Sequence, residues 1–63
     1  MMKPIMNVDP EKDVDGYSMI RRAGSILNVH GMKQEAKEIH QRASIEGYEE
    51  YLVFQLLKEY MTI

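Results

Sequence analysis

The chain has 63 residues, a length that allows one domain. It contains no cysteine, which excludes disulfides and thiolate metal sites, and its formal charge of −2 excludes the globally basic surface that generic nucleic-acid binding uses. So short a chain is marginally stable by itself, and with neither disulfide nor evident metal the staple that remains is association with another chain.

His30 and His40 are ten positions apart, and no carboxylate pattern completes a site around them. No metal or other cofactor is therefore expected. The longest unbroken apolar run, Tyr51-Leu52-Val53-Phe54, is far too short to span a bilayer. Lys3 precedes Pro4, Asn7 and Asp9, which interrupt any signal-like apolar stretch, so a cytoplasmic location is expected.

Residues 1–14 read as a flexible or extended arm ahead of a helical domain over 15–63. The arm holds both prolines and the acids Asp9, Glu11 and Asp13, and its expected contribution to folding is small. Asp9-Pro10-Glu11 has the form of a helix start, but Gly16 counts against one continuous helix from there.

The first helix is expected over about 16–29. Met19, Ile20, Ala23, Ile26 and Leu27 share one face, and Ser18, Arg21, Arg22, Ser25 and Asn28 share the other. Gly31 suits the stop. The second helix is expected over about 32–45. Its narrow stripe of Met32, Ala36, Ile39 and Ala43 implies close packing on one side, and Glu38 and Arg42 are spaced for a weak helical pair.

Gly47 marks the break before a third helix, over about 48–62, with Glu46, Glu49 and Glu50 near its start and Lys58 toward its end. Leu52, Val53, Phe54, Leu56, Leu57, Tyr60 and Met61 cover about 200° of its circumference at about 100° per residue. That arc is wider than a surface helix of a monomer needs. The expectation is an all-α three-helix bundle with an irregular N-terminal arm, whose third helix meets a second chain through Val53, Leu57, Tyr60 and Met61.

Four constellations bear on chemistry. Glu11, Asp13, Asp15 and Gly16 follow the start of a calcium loop, but Arg22 stands where that loop needs its bidentate acid. The better reading is an acidic cap on the first helix. The first two helices, joined through His30-Gly31-Met32, have the form of a helix-turn-helix with Lys33, Gln34 and Lys37 as reading residues. Leu27 stands where a small residue belongs, Lys37 where an apolar one belongs, and Glu35 and Glu38 are interleaved, so nucleic acid is disfavoured as a partner. Ser18, Arg21, Arg22 and Ser25 form a candidate contact for an anion or a partner's carboxylate, since arginine donates bidentate hydrogen bonds; plain solvation is the commoner fate of such a face. No spacing places an acid behind either histidine, so no enzyme is expected.

The function these features favour is a small protein-interaction module: a homo-oligomeric adaptor, inhibitor or accessory protein. The alternatives are a divergent helix-turn-helix DNA-binding regulator and a binder of small anionic ligands at an oligomer interface.

Overall fold

The computed structural model describes residues 3–8 and 15–63. Three helices pack as a small bundle: α1 (Gly16–Val29), α2 (Lys33–Glu46) and α3 (Glu50–Tyr60). The Asp9-Pro10 helix start and the calcium-loop acids Glu11 and Asp13 lie outside the described residues.

Each boundary has a local cause. Asp15 caps α1: its carboxylate accepts from the Tyr17 amide at 3.1 Å and from the Ser18 hydroxyl at 3.2 Å, supplying an acceptor to the unpaired first turn. At the other end the Gly31 amide donates to Asn28 and the Met32 amide to Leu27, with Gly31 at φ 76°. This is a Schellman closure, in which glycine takes the left-handed position and the residue after it packs back on the helix. Met32 accordingly lies against the core that contains Leu27. Gly47 closes α2, donating to Ala43 at 2.8 Å.

The α3 helix is shorter than its apolar pattern, ending at Tyr60 rather than near Thr62. Met61 is already extended, at φ −131° and ψ 158°. The backbone of Thr62 instead pairs with the N-terminal segment: its amide donates to Pro4 at 2.8 Å, and its carbonyl accepts from Met6 at 2.9 Å. Ile5 and Thr62 thus form an isolated parallel bridge. Lys3 adds a hydrogen bond to the Lys58 carbonyl at 3.0 Å, and Arg22 donates to the Asn7 carbonyl.

The core joins Met19, Ile20, Ala23 and Leu27 of α1 to Ala36, Ile39 and Ala43 of α2 and to Val53, Leu56 and Leu57 of α3. Met61 and Met6 complete it, and Met6 is only 1% exposed. The alanines of α1 and α2 let these two helices approach closely, as the narrow stripe of α2 implies. Residues 3–8 are therefore extended and seated on the bundle. The burial of Met6 runs against the expectation that the arm adds little to folding.

This placement also corrects the assignment of a shared face on α3. Val53, Leu57 and Met61 are buried in the chain's own core, and Tyr60 is half-buried against it. Val53, Leu56, Leu57 and Met61 of the broad apolar arc of α3 are covered within the chain, while Leu52, Phe54 and Tyr60 stay partly exposed. Val53, Leu57 and Met61 are not free to meet a second chain while this fold is intact, whereas Tyr60 keeps part of its surface exposed.

Candidate functional site

Helix α1 has two flanks, and the residues on them differ in kind. Arg21 and Arg22 are adjacent in sequence but lie about 100° apart around the helix, so they serve different flanks. Arg22 reaches the Asn7 carbonyl on the side of the N-terminal segment. Arg21 shares the flank of Gly24 and Asn28, at steps of three and four residues, and that flank borders α2. The Ser18 hydroxyl is taken up by the Asp15 cap, and Ser25 lines a groove beside Ile5. The expected contact set Ser18, Arg21, Arg22 and Ser25 is thus divided among three surroundings rather than gathered in one.

On the side of the N-terminal segment, Ile5, Ile26 and Val29 line an open groove of about 330 Å³, with Ser25 and His30 as its polar members. Val29 is 85% exposed and Ile5 66% exposed. Scattered exposed aliphatic side chains are ordinary. Here two of them share a concavity with the half-buried Ile26.

On the other flank, the end of α1 and the first half of α2 border a second open cleft, of about 440 Å³. Asn28 enters it from α1, and Lys33, Gln34, Lys37 and His40 enter it from α2. Among the described residues, no ion pair or side-chain hydrogen bond occupies Lys33, Lys37 or His40. The His40 imidazole lies over Gly24, where a Cβ would collide with its Nε2. The helix-turn-helix reading of the sequence named Lys33, Gln34 and Lys37, and periodicity placed Asn28 on the polar face of α1, but neither assigned a role to His40 or Gly24. The signal available in the sequence was an acid-free stretch: residues 16–34 contain no Asp or Glu.

Two of the three acids of α2 are engaged elsewhere. Glu38 accepts from the Tyr60 hydroxyl at 3.1 Å. Arg42 forms a bidentate pair with Glu59, at 2.8 and 2.9 Å, and also reaches Glu46 at 3.4 Å and the Tyr60 oxygen at 3.3 Å. Its guanidinium stands 5.8 Å from the Tyr60 ring centroid. The expected pairing of Glu38 with Arg42 is therefore drawn out into a network that joins α2 to α3 through Tyr60. The hydrogen bond from Arg42 holds the Glu59 carboxyl below its ordinary pKa, and the same pairing raises that of Arg42.

Tyr17 and Tyr48 meet edge to face, with ring centroids 5.2 Å apart, where the start of α1 meets the α2–α3 connection. Among the described residues, no group of three or more His, Asp or Glu side chains is placed to hold a metal ion. Nor is any helix long and apolar enough to cross a membrane. The fold and its surfaces define a small three-helix bundle closed by an N-terminal strand-like segment. No family, curated protein or solved structure matches the chain.

Proposed function

We propose that this chain is a small protein-interaction module that acts as a homo-oligomer, with the groove of Ile5, Ile26 and Val29 as its contact between copies. The observation that carries the reading is the pairing of a protruding side chain with a concavity on one surface: Val29 is 85% exposed at the rim of the groove it helps to line. An isologous dimer needs such self-complementarity, since each copy presents the same patch to the other. Val29 of one copy can enter the groove of its partner while the partner's Val29 enters the first. Burying an aliphatic side chain of this size contributes about 1.5–3 kcal/mol before ordering costs. An adaptor or accessory role is part of the same proposal.

The experiment is light scattering or sedimentation of the full chain across micromolar concentrations, with Val29→Lys as the variant. Val29 is the last residue of α1, and a cation there suits the helix dipole, so the fold is retained. Wild type should assemble and Val29→Lys should be monomeric, with helicity unchanged. A wild-type monomer at the highest soluble concentration would refute the reading, and so would a variant that assembles as the wild type does.

A further inference from the structure

We infer that the cleft between the end of α1 and the first half of α2 binds the phosphate group of a phosphate-bearing ligand, held by Lys33 and Lys37 with His40 and Asn28 beside them. The inference uses none of the residues proposed for self-association, and it does not depend on that reading.

The first support is the segregation of charge on α2. At about 100° per residue, Lys33, Gln34, Lys37, His40, Gln41 and Ser44 fall within an arc of about 120°. All six are exposed. No acid falls within that arc. Glu38 is turned to Tyr60, and Glu46 to Arg42. The opposing helix contributes no acid either, because residues 16–34 contain none. In a chain of net charge −2, this one face carries cations that no acid among the described residues pairs with, and Glu35, in the same first turn, lies about 200° around the helix from Lys33.

The second support is the placement of those cations. Lys33 and Lys37 stand in the first two turns of α2, where the helix dipole favours acids and disfavours ammonium groups. Met32 provides no side-chain cap there. Local stability would be better served by the reverse arrangement. Such a departure from local preference, with no compensating contact in the fold, is characteristic of a binding site. An anion seated between the two lysines supplies the missing counter-charge.

The third support is Gly24. Glycine in a helix interior costs stability relative to alanine. Here its missing side chain leaves the space in which the His40 ring lies against α1. His40 thereby lies at the edge of the cleft, one turn beyond Lys37, and Asn28 lines it from α1. The donors are two ammonium groups, an imidazole and a carboxamide. This set suits a tetrahedral oxyanion, whose several oxygens accept separately, better than an apolar ligand. Lysine is a point-charge phosphate binder. Gln34 and Gln41, on the same face, add carboxamides that can contact whatever carries the phosphate.

The phosphate can belong to a small molecule or to a nucleic-acid backbone, and two titrations of the full chain distinguish these. Pyrophosphate is followed by amide chemical shifts, and a labelled mixed-sequence DNA duplex by fluorescence anisotropy at several salt concentrations. The variants are Lys33→Glu/Lys37→Glu and Gly24→Ala. Both lysines are exposed, and acids suit the start of a helix, so the double variant should melt no lower than wild type. With either probe, the charge reversal should weaken binding at least tenfold, and Gly24→Ala should weaken it several-fold by displacing His40. For pyrophosphate, the shifts should centre on Asn28, Lys33 and Lys37. Duplex binding should weaken with salt at a slope of about −0.9 per phosphate neutralised, and Lys33→Ala should lessen that slope by about one. Binding of pyrophosphate alone assigns a small ligand, and tighter binding of the duplex assigns a nucleic acid. Failure of both probes to bind at millimolar concentration would overturn the inference, as would binding that survives the charge reversal.

Discussion

Met6 offers the sharpest test of how the fold is held together. It belongs to a segment that its composition marks as an arm, yet its side chain is 1% exposed and part of the core. Truncating a buried methionine, leucine or isoleucine to alanine costs about 2–5 kcal/mol, through lost transfer energy and the cavity left behind. At roughly 0.05–0.15 kcal/mol per residue, the chain's 63 residues give a total stability of roughly 3–9 kcal/mol. Met6→Ala therefore removes a large part of the whole. For a domain near this size, 1 kcal/mol corresponds to about 4–8 °C in melting temperature, so the expected fall is at least roughly 10 °C.

Asn7→Ala is the internal control. Asn7 is adjacent but exposed, and surface substitutions away from special features usually stay within about 0.5 kcal/mol. Deleting residues 1–8 should cost more than Met6→Ala. It also removes the two backbone hydrogen bonds to Thr62, each contributing about 0.5–1.5 kcal/mol net. Thermal and urea denaturation followed by circular dichroism reads all three variants. If Met6→Ala melts no lower than Asn7→Ala, or the deletion melts with wild type, the segment does not carry core stability and the reasoning fails.

Two further predictions concern stability. Glu59 has a lowered carboxyl pKa in the fold because Arg42 hydrogen-bonds its charged form, so the unfolded chain binds the proton more readily; the contribution is present above the ordinary carboxylate pKa and is lost as pH falls through the lowered folded value. The pair is exposed, so the effect is modest and weakened by salt; Glu59→Gln should flatten the acid side of the melting-temperature profile, and an unchanged profile would contradict this. Gly16→Ala and Gly24→Ala should shift stability in opposite directions, as denaturation midpoints can show. A Cβ at Gly16 meets the backbone carbonyl of Tyr48, which cannot step aside, whereas one at Gly24 meets only the end of the His40 side chain, so Gly16→Ala should destabilise and Gly24→Ala should gain up to about 1 kcal/mol of helix propensity.

The sequence carried the helices well because their causes are local. The amphipathic face of α1, the closing role of Gly31 and the small stripe of α2 all lie within a few residues of what they determine. The broad arc of α3 was also visible, but its cover was not. Periodicity counts apolar positions and cannot say which element lies over them, and here one covering element is joined through a bridge from Ile5 to Thr62, almost the whole chain apart. A second chain was therefore assigned to a surface that Met6 helps to close. The two close approaches at Gly16 and Gly24 escaped for the same reason. In sequence each is a glycine near or within a helix, and only the neighbouring element shows why a side chain is absent.

The polar residues that the sequence groups on α1 have different surroundings in the fold, and the geometry of α1 explains why. Ser18, Arg21, Arg22 and Ser25 share the broad polar half of a helix, so a two-sided pattern treats them as one face. Two other elements divide that half: α2 borders Gly24 and Asn28, on the flank of Arg21, while the N-terminal segment borders Arg22, Ile26 and Val29. Helix α1 thus stands as a partition between a cationic cleft and an apolar groove. The two proposed surfaces share this helix but no side chain, which makes their independence measurable. Lys33→Glu/Lys37→Glu should leave assembly intact, and Val29→Lys should leave phosphate binding intact. If either variant disturbs the other function while melting as wild type, the two flanks are energetically coupled through α1, and a ligand in the cleft would then bias association at the groove.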